Sequence, residues 1–223
     1  MPATAAERVV RASIVAAVQR LDALGLNRGS SGNVSARAGG GGGGMFCITP
    51  TGMGAQGLAA DDIVRVADDG RVAGRWQPSS EWPLHRAIYR ARADIAAVVH
   101  LHSTHATALA CLRRGLPAFH YMVAIAGGDD VPCTDYHLFG SDELAQAVAC
   151  AFGERYACLM ANHGLVAGGT TLAHAMQVAI EVEALCQSYL AALAAGEPAL
   201  LAREQMAAVL ERFRHYGRAS RLP

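Results

Sequence analysis

The chain has 223 residues, 52% of them hydrophobic, and 19 basic residues balance 19 acidic ones. That length can bury a substantial core. No linker or internal repeat divides it, so one domain over residues 1–223 is expected. Zero net charge without a basic cluster argues against a nucleic-acid partner, and no uninterrupted apolar run of about 18 residues argues for a membrane span.

Early charges (Glu7, Arg8, Arg11) fit an amphipathic helix rather than a signal peptide. The six cysteines are scattered without a C-x-x-C pair, which fits reduced thiols and a cytoplasmic location. All 19 basic residues are arginine. A lysine Schiff base is therefore impossible, and a carbonyl would have to be activated by a metal or by hydrogen-bond donors. A phosphate would have to sit on arginine, hydroxyls or backbone N–H groups.

In chain order, residues 5–24 read as a helix stopped by Gly25. A polar, glycine-rich loop covers 27–35. The glycine run 39–44 reads as a tip between two strands. Residues 45–49 form a strand, followed by a turn at 50–52. Segments 62–66 and 72–74 suggest a hairpin around Asp68-Asp69-Gly70. A helix starts near 78–81 and runs to about residue 93, with Pro83 in its first turn.

The apolar stretch 96–99 then leads into His100-Leu101-His102, a buried strand whose two histidines emerge on one face. Beyond it come helices at 105–113 and 142–152, and strands at 157–160 and 165–167 flanking His163. Further helices are expected at 172–194 and 201–213. Helices alternating with strands and hairpins predict an α/β layered fold on a mixed, mainly antiparallel sheet.

Three pieces of this pattern suggest chemistry. His100, His102 and His163 could supply three imidazoles to a metal with an open position, the arrangement of a catalytic zinc site; any one of them alone is more often a hydrogen-bonded core histidine than a ligand. The 29–35 loop, Thr51-Gly52 and Ser79-Ser80 combine hydroxyls with glycines or a helix start, which suits an anion. Separately they read as surface turns and N-caps. Glu81 fits a helix-dipole complement, a metal ligand, or a base beside a metal.

Ser30-Ser31-Gly32-Asn33-Val34-Ser35, Ile48-Thr49-Pro50-Thr51-Gly52, Pro78-Ser79-Ser80-Glu81-Trp82, His100-x-His102, Ala118-Phe119-His120-Tyr121-Met122 and Asn162-His163-Gly164 occur in this order. In this combination the chain resembles the zinc-dependent class II aldolase/adducin family over nearly its whole length, up to Tyr216-Gly217. The resemblance implies a three-layer α/β/α fold and a homotetramer with active sites between subunits. It implies one Zn2+ per subunit, with Co2+ or Mn2+ as alternatives, held by Glu81, His100, His102 and His163.

It also implies that Ser30, Gly32, Asn33, Thr51, Gly52, Ser79 and Ser80 bind a substrate phosphate. Glu81 and Tyr121 would exchange protons, and Tyr216 would close over a neighbouring site. The implied reaction is reversible cleavage of a ketose 1-phosphate, such as L-fuculose 1-phosphate, to dihydroxyacetone phosphate and an aldehyde. Sibling substrates are 5-deoxyribulose and 5-methylthioribulose 1-phosphate. Related branches act as phosphopentose 4-epimerases or sugar-acid phosphate decarboxylases, and the epimerase branch typically carries Asp at the position of Glu81. The adducin head is a non-enzymatic interaction module without the zinc histidines.

Overall fold

A computed structural model describes residues 3–38 and 44–214. The glycines at 39–43 and the tail carrying Tyr216 lie outside the described residues. One eight-stranded sheet organises the chain, in the order β4-β3-β2-β1-β5-β8-β7-β6. Its strands are β1 (Asn33–Arg37), β2 (Met45–Ile48), β3 (Val64–Ala67), β4 (Val72–Ala73), β5 (Ala97–Leu101), β6 (Cys133–Thr134), β7 (Ala157–Met160) and β8 (Gly164–Gly169). Every pairing is antiparallel except β6 with β7, which is parallel. The sheet is therefore mixed and mainly antiparallel, as the strand pattern predicts.

Strand alternation divides the apolar residues between two faces. Ala97, Val99 and Leu101 of β5 join one core with residues of helices α1 (Ala5–Ala23), α3 (Thr104–Cys111), α5 (Leu172–Ala195) and α6 (Arg203–Phe213). Val98 joins a second core with α2 (Trp82–Ala91) and α4 (Asp142–Phe152). The result is helix, sheet, helix in three layers. The central position of β5 explains its continuous apolar run, since a strand covered on both faces has no solvent side.

α5 is long and apolar enough to cross a membrane by length and composition alone. Here it packs along the sheet as a core helix and carries the buried carboxylate Glu183, which makes that test weak evidence for a span.

The described elements depart from the sequence pattern in a few places. Asn33, Val34 and Ser35 belong to β1 rather than to a loop. They pair with β5, and a neighbouring strand overrides the polar composition of the segment. α6 starts at Arg203, because the amide of Leu201 is taken by the carbonyl of Ala118. A 3-10 helix at Tyr121–Ala126 and the short strand β6 carry no helix- or strand-period signal long enough to read from sequence.

Candidate active site

The site lies where β5 ends and β1 begins, beside the start of α2. In the β1–β5 register Asn33 stands directly opposite His100, and Ser35 opposite Val98. Asn33, Ser35, His100 and His102 thus share the α2 side of the sheet. His102 falls just past the end of β5. His163 sits in the β7–β8 turn, after Asn162 in the left-handed conformation (φ 55°). Gly164 follows because a Cβ there would lie 2.4 Å from the Leu101 carbonyl oxygen and 3.1 Å from His102. Only glycine lets the two strand ends approach closely enough to bring these histidines together.

The four predicted ligands converge. One ligand atom from each of Glu81, His100, His102 and His163 lies within 4.8 Å of every other. The Nε2 atoms of His100 and His102 are 3.0 Å apart, and the Oε2 of Glu81 is 2.8 Å from the His100 Nε2 and 3.5 Å from the His163 Nε2. The three rings stand edge to face around a common centre, with interplanar angles of 72°, 81° and 74°.

The His100 Nδ1 is 2.9 Å from the Leu165 carbonyl. It donates there, so its Nε2 lone pair faces the cluster. Burial, together with repulsion from His100 and His163, pushes His102 down to about 4, which keeps that imidazole neutral and able to ligate. Burial raises the Glu81 carboxyl, but the imidazoles of His100 and His163 more than offset this and hold it below the usual range. The Glu81 Oε1 is buried and has no partner among the described residues. Three imidazole nitrogens, one carboxylate oxygen and a second oxygen without a partner among the described residues are a donor set that fits a divalent cation.

Glu81 is not spent on its helix. It occupies the N-cap position of α2 without making a side-chain cap, and its amide donates to the Ser79 Oγ at 3.3 Å. Ser79 thus takes the capping role and leaves the Glu81 carboxylate free to face the histidines.

The predicted phosphate pieces are stitched together by bonds from backbone amides. The Val34 amide donates to the Thr49 Oγ1 at 3.2 Å. The Ser79 amide reaches the Thr49 carbonyl, and the Thr51 amide reaches the Gln77 carbonyl, each at 3.0 Å. These bonds set 30–33, 50–52 and 79–80 around one pocket of about 170 Å³. Ser30, Gly32, Asn33, Thr51, Gly52, Ser79 and Ser80 line it together with Glu81, His102 and His163. Gly52 (φ 71°) makes its turn in the left-handed region, where a side chain would be strained.

Tyr121 does not line this pocket. It opens the 3-10 helix and is 47% exposed. Sequence reasoning missed three residues. Phe139, 63% exposed, stands at the pocket's rim; an exposed aromatic in an irregular segment gives no periodic signal. Glu183 accepts from the Ser103 hydroxyl and from the amides of His105 and Ala106, anchoring the chain just after His102. Its signal was faint: it is one of two acids, Glu181 and Glu183, in an otherwise apolar stretch of helix. His85 is fully buried beneath Asn33, and only its place one turn after Glu81 marked it.

Residues 12–190 match the family described as Class II Aldolase and Adducin N-terminal domain. The chain belongs to this family. A Rhodospirillum rubrum 5-methylthioribulose-1-phosphate/5-deoxyribulose-1-phosphate aldolase is 44% identical over 214 residues, covering 96% of this chain and 95% of the relative. An Escherichia coli L-fuculose phosphate aldolase is 45% identical over 195 residues, covering 87% and 89%. A solved L-fuculose 1-phosphate aldolase superposes with a TM-score of 0.87 at 38% identity, covering 92% of this chain and 96% of its own. The protein is thus a class II aldolase, a lyase of a metal-dependent class, and its Glu81 and histidine cluster could hold the metal.

Proposed function

We propose that this single-domain chain is a cytoplasmic, zinc-dependent aldolase. It would reversibly cleave a ketose 1-phosphate of the L-fuculose 1-phosphate type to dihydroxyacetone phosphate and an aldehyde, working as a homotetramer. The observation that carries the reading is that one pocket has the Glu81–histidine cluster at one end and a hydroxyl-and-glycine cradle at the other. Three nitrogens and one oxygen favour zinc, with cobalt or manganese as substitutes. When bound, the ion supplies Lewis-acid polarisation of the ketone.

In this reading Ser30, Gly32, Asn33, Thr51, Gly52, Ser79 and Ser80 hold the phosphate, which places C2 and C3 of the sugar toward the histidines. The C3–C4 bond breaks, its electron pair stays on the C3 side, and the C4 hydroxyl gives up its proton as the aldehyde forms. Glu81 takes up a proton from solvent and passes it to C3; in condensation it is the base and returns that proton to solvent. Tyr121 lies outside its own chain's pocket, so the role of taking the C4 hydroxyl proton falls to Tyr121 of an adjacent copy. Tyr216 would close over a neighbouring site in the same manner.

A second reading has a specific observation behind it. The Rhodospirillum rubrum relative matches over nearly the full length of both chains, and its named substrates share the phosphate and ketone end. The cradle engages that common end, so the aldehyde portion separates the two readings. The test is release of dihydroxyacetone phosphate from fuculose, rhamnulose, ribulose, 5-deoxyribulose and 5-methylthioribulose 1-phosphates, with and without chelator. Chelator-sensitive release is expected, and the ranking names the substrate. No release from folded, zinc-loaded protein would overturn the reading in favour of epimerisation or decarboxylation.

A further inference from the structure

Beneath the pocket, outside the metal cluster, runs a buried chain of polar side chains that the reaction as described does not use. The His85 Nε2 lies 2.5 Å from the Asn33 Oδ1. On its other side the Nδ1 is 2.7 Å from the Ser35 Oγ, and the Ser35 Oγ is 2.7 Å from the Tyr89 hydroxyl. His85 and Ser35 are fully buried and Tyr89 is 6% exposed. Buried polar groups at such distances must each donate or accept in a consistent order.

The Tyr89 end sets that order. Its phenol keeps its proton, because burial pushes its pKa well up. Among the described residues the hydrogen-bond partner of that hydroxyl is the Ser35 Oγ, so its hydrogen has one place to go. Tyr89 therefore donates to Ser35, and Ser35 donates to the His85 Nδ1. The single hydrogen of the neutral imidazole is left on Nε2, aimed at the Asn33 oxygen. Running the chain the other way would leave the buried phenol hydrogen without an acceptor, the costlier arrangement.

We propose that His85 is a positioning residue for the substrate phosphate: held as the Nε2–H tautomer, it donates to the Asn33 Oδ1 and so turns the Asn33 NH2 toward the pocket. An amide free to rotate would present an anion with oxygen half the time. Pinned by His85, Asn33 offers two hydrogens at the rim of a pocket whose described lining includes no lysine or arginine. The inference rests on the phosphate reading of this pocket.

The test uses the zinc-loaded holoenzyme with inorganic phosphate as probe, by calorimetry and as an inhibitor of cleavage. His85→Gln keeps an N–H where Nε2 lies, whereas His85→Asn keeps only the group facing Ser35. His85→Asn is expected to weaken phosphate binding roughly tenfold and to raise KM more than it lowers kcat, with metal content unchanged. His85→Gln should stay near wild type. In an Asn33→Ala background, His85→Asn should add nothing further.

Equal effects of the two His85 variants, a wild-type His85→Asn, or additivity with Asn33→Ala would each overturn the proposal. If Asn33→Ala alone leaves phosphate affinity unchanged, the cradle reading fails with it. If Asn33→Ala weakens binding and His85→Asn does not, only the role of His85 fails. Nitrogen-15 NMR of histidine-labelled wild-type holoenzyme needs no variant to fold. It should show His85 neutral with its hydrogen on Nε2, and an Nδ1–H tautomer or an imidazolium would refute the assignment.

Discussion

At one end of the pocket four side chains that can carry charge crowd within 4.8 Å, three of them from the ends of β5 and the β7–β8 turn. At the other end the described lining is serine, threonine, asparagine, glycine and proline. The first end stores its specificity in titratable groups held out of water, where burial keeps His102 neutral and the histidines keep Glu81 ionised. The second uses hydroxyls and amides whose positions are fixed by backbone bonds among three segments. In the proposed reading one end holds a cation and is best negative or neutral, and the other takes an anion without a fixed positive charge. Damage to the first end should remove the reaction, and damage to the second should weaken binding.

The largest effect should come from His100. It is fully buried, with its Nδ1 held by the Leu165 carbonyl, and it touches both Glu81 and His102. His100→Ala should lose bound metal and bring cleavage down to the level of chelator-treated enzyme, checked by elemental analysis beside dihydroxyacetone phosphate release. Glu81→Gln is the sharper cut, because the side chain keeps its size and loses its proton chemistry. A fall in kcat of about 10²–10⁴ is expected, with metal retained at reduced affinity. Exchange of the C3 proton of dihydroxyacetone phosphate with solvent deuterium should fall in parallel. Unchanged exchange would assign the proton to another group.

The contrast between the two ends also explains what the sequence could reveal. The candidate metal end was legible because imidazole is a rare side chain, and His100-x-His102 on an apolar strand sets two of them on one face, even though core histidines could give the same pattern. The apolar run of β5 and the hairpin around Asp68-Asp69-Gly70 exposed the sheet because runs and turn chemistry are local. Much of the phosphate end was visible as three separate hydroxyl turns, yet nothing local says that 49–51 and 77–79 lie side by side. That depends on the Pro50–Pro78 bridge and the bonds beside it, which are tertiary. His85 and Glu183 were opaque because a buried polar residue on a helix face has the same spacing as an apolar one. Their partners, Asn33 and the start of α3, lie 52 and about 78 residues away.

A further comparison concerns pH. Burial and repulsion from His100 push His85 down to about 3, whereas in the unfolded chain it titrates near 6.5. Between those values the unfolded state binds the proton and the folded state does not. Stability is therefore complete above about pH 6.5 and declines as the pH falls toward 3, by at most about 1.4 kcal/mol per pH unit from this group. His85→Gln should flatten the dependence of unfolding free energy on pH by up to one proton over that window, measured by urea titration at fixed metal loading. A slope unchanged from wild type would mean that His85 takes up its proton in the folded protein.

The smallest expected effects sit on the cradle. Thr51→Ala and Ser80→Ala each remove one hydroxyl from the pocket lining. Each should raise KM several-fold, about 1 kcal/mol per lost hydrogen bond, with kcat little changed, since the phosphate is held alike before and after the bond breaks. Salt then separates this cradle from one built on cations. Screening weakens attraction between a phosphate and an exposed arginine or lysine, but it acts weakly on short hydrogen bonds from hydroxyls and amides. The affinity for inorganic phosphate should therefore depend only shallowly on ionic strength in wild type. Inserting Ser30→Lys should tighten binding at low salt and make it steeply salt-dependent. A steep dependence already present in wild type would point to an arginine reaching the pocket from outside the described lining, and would transfer the anion end of the comparison from dipoles to charge.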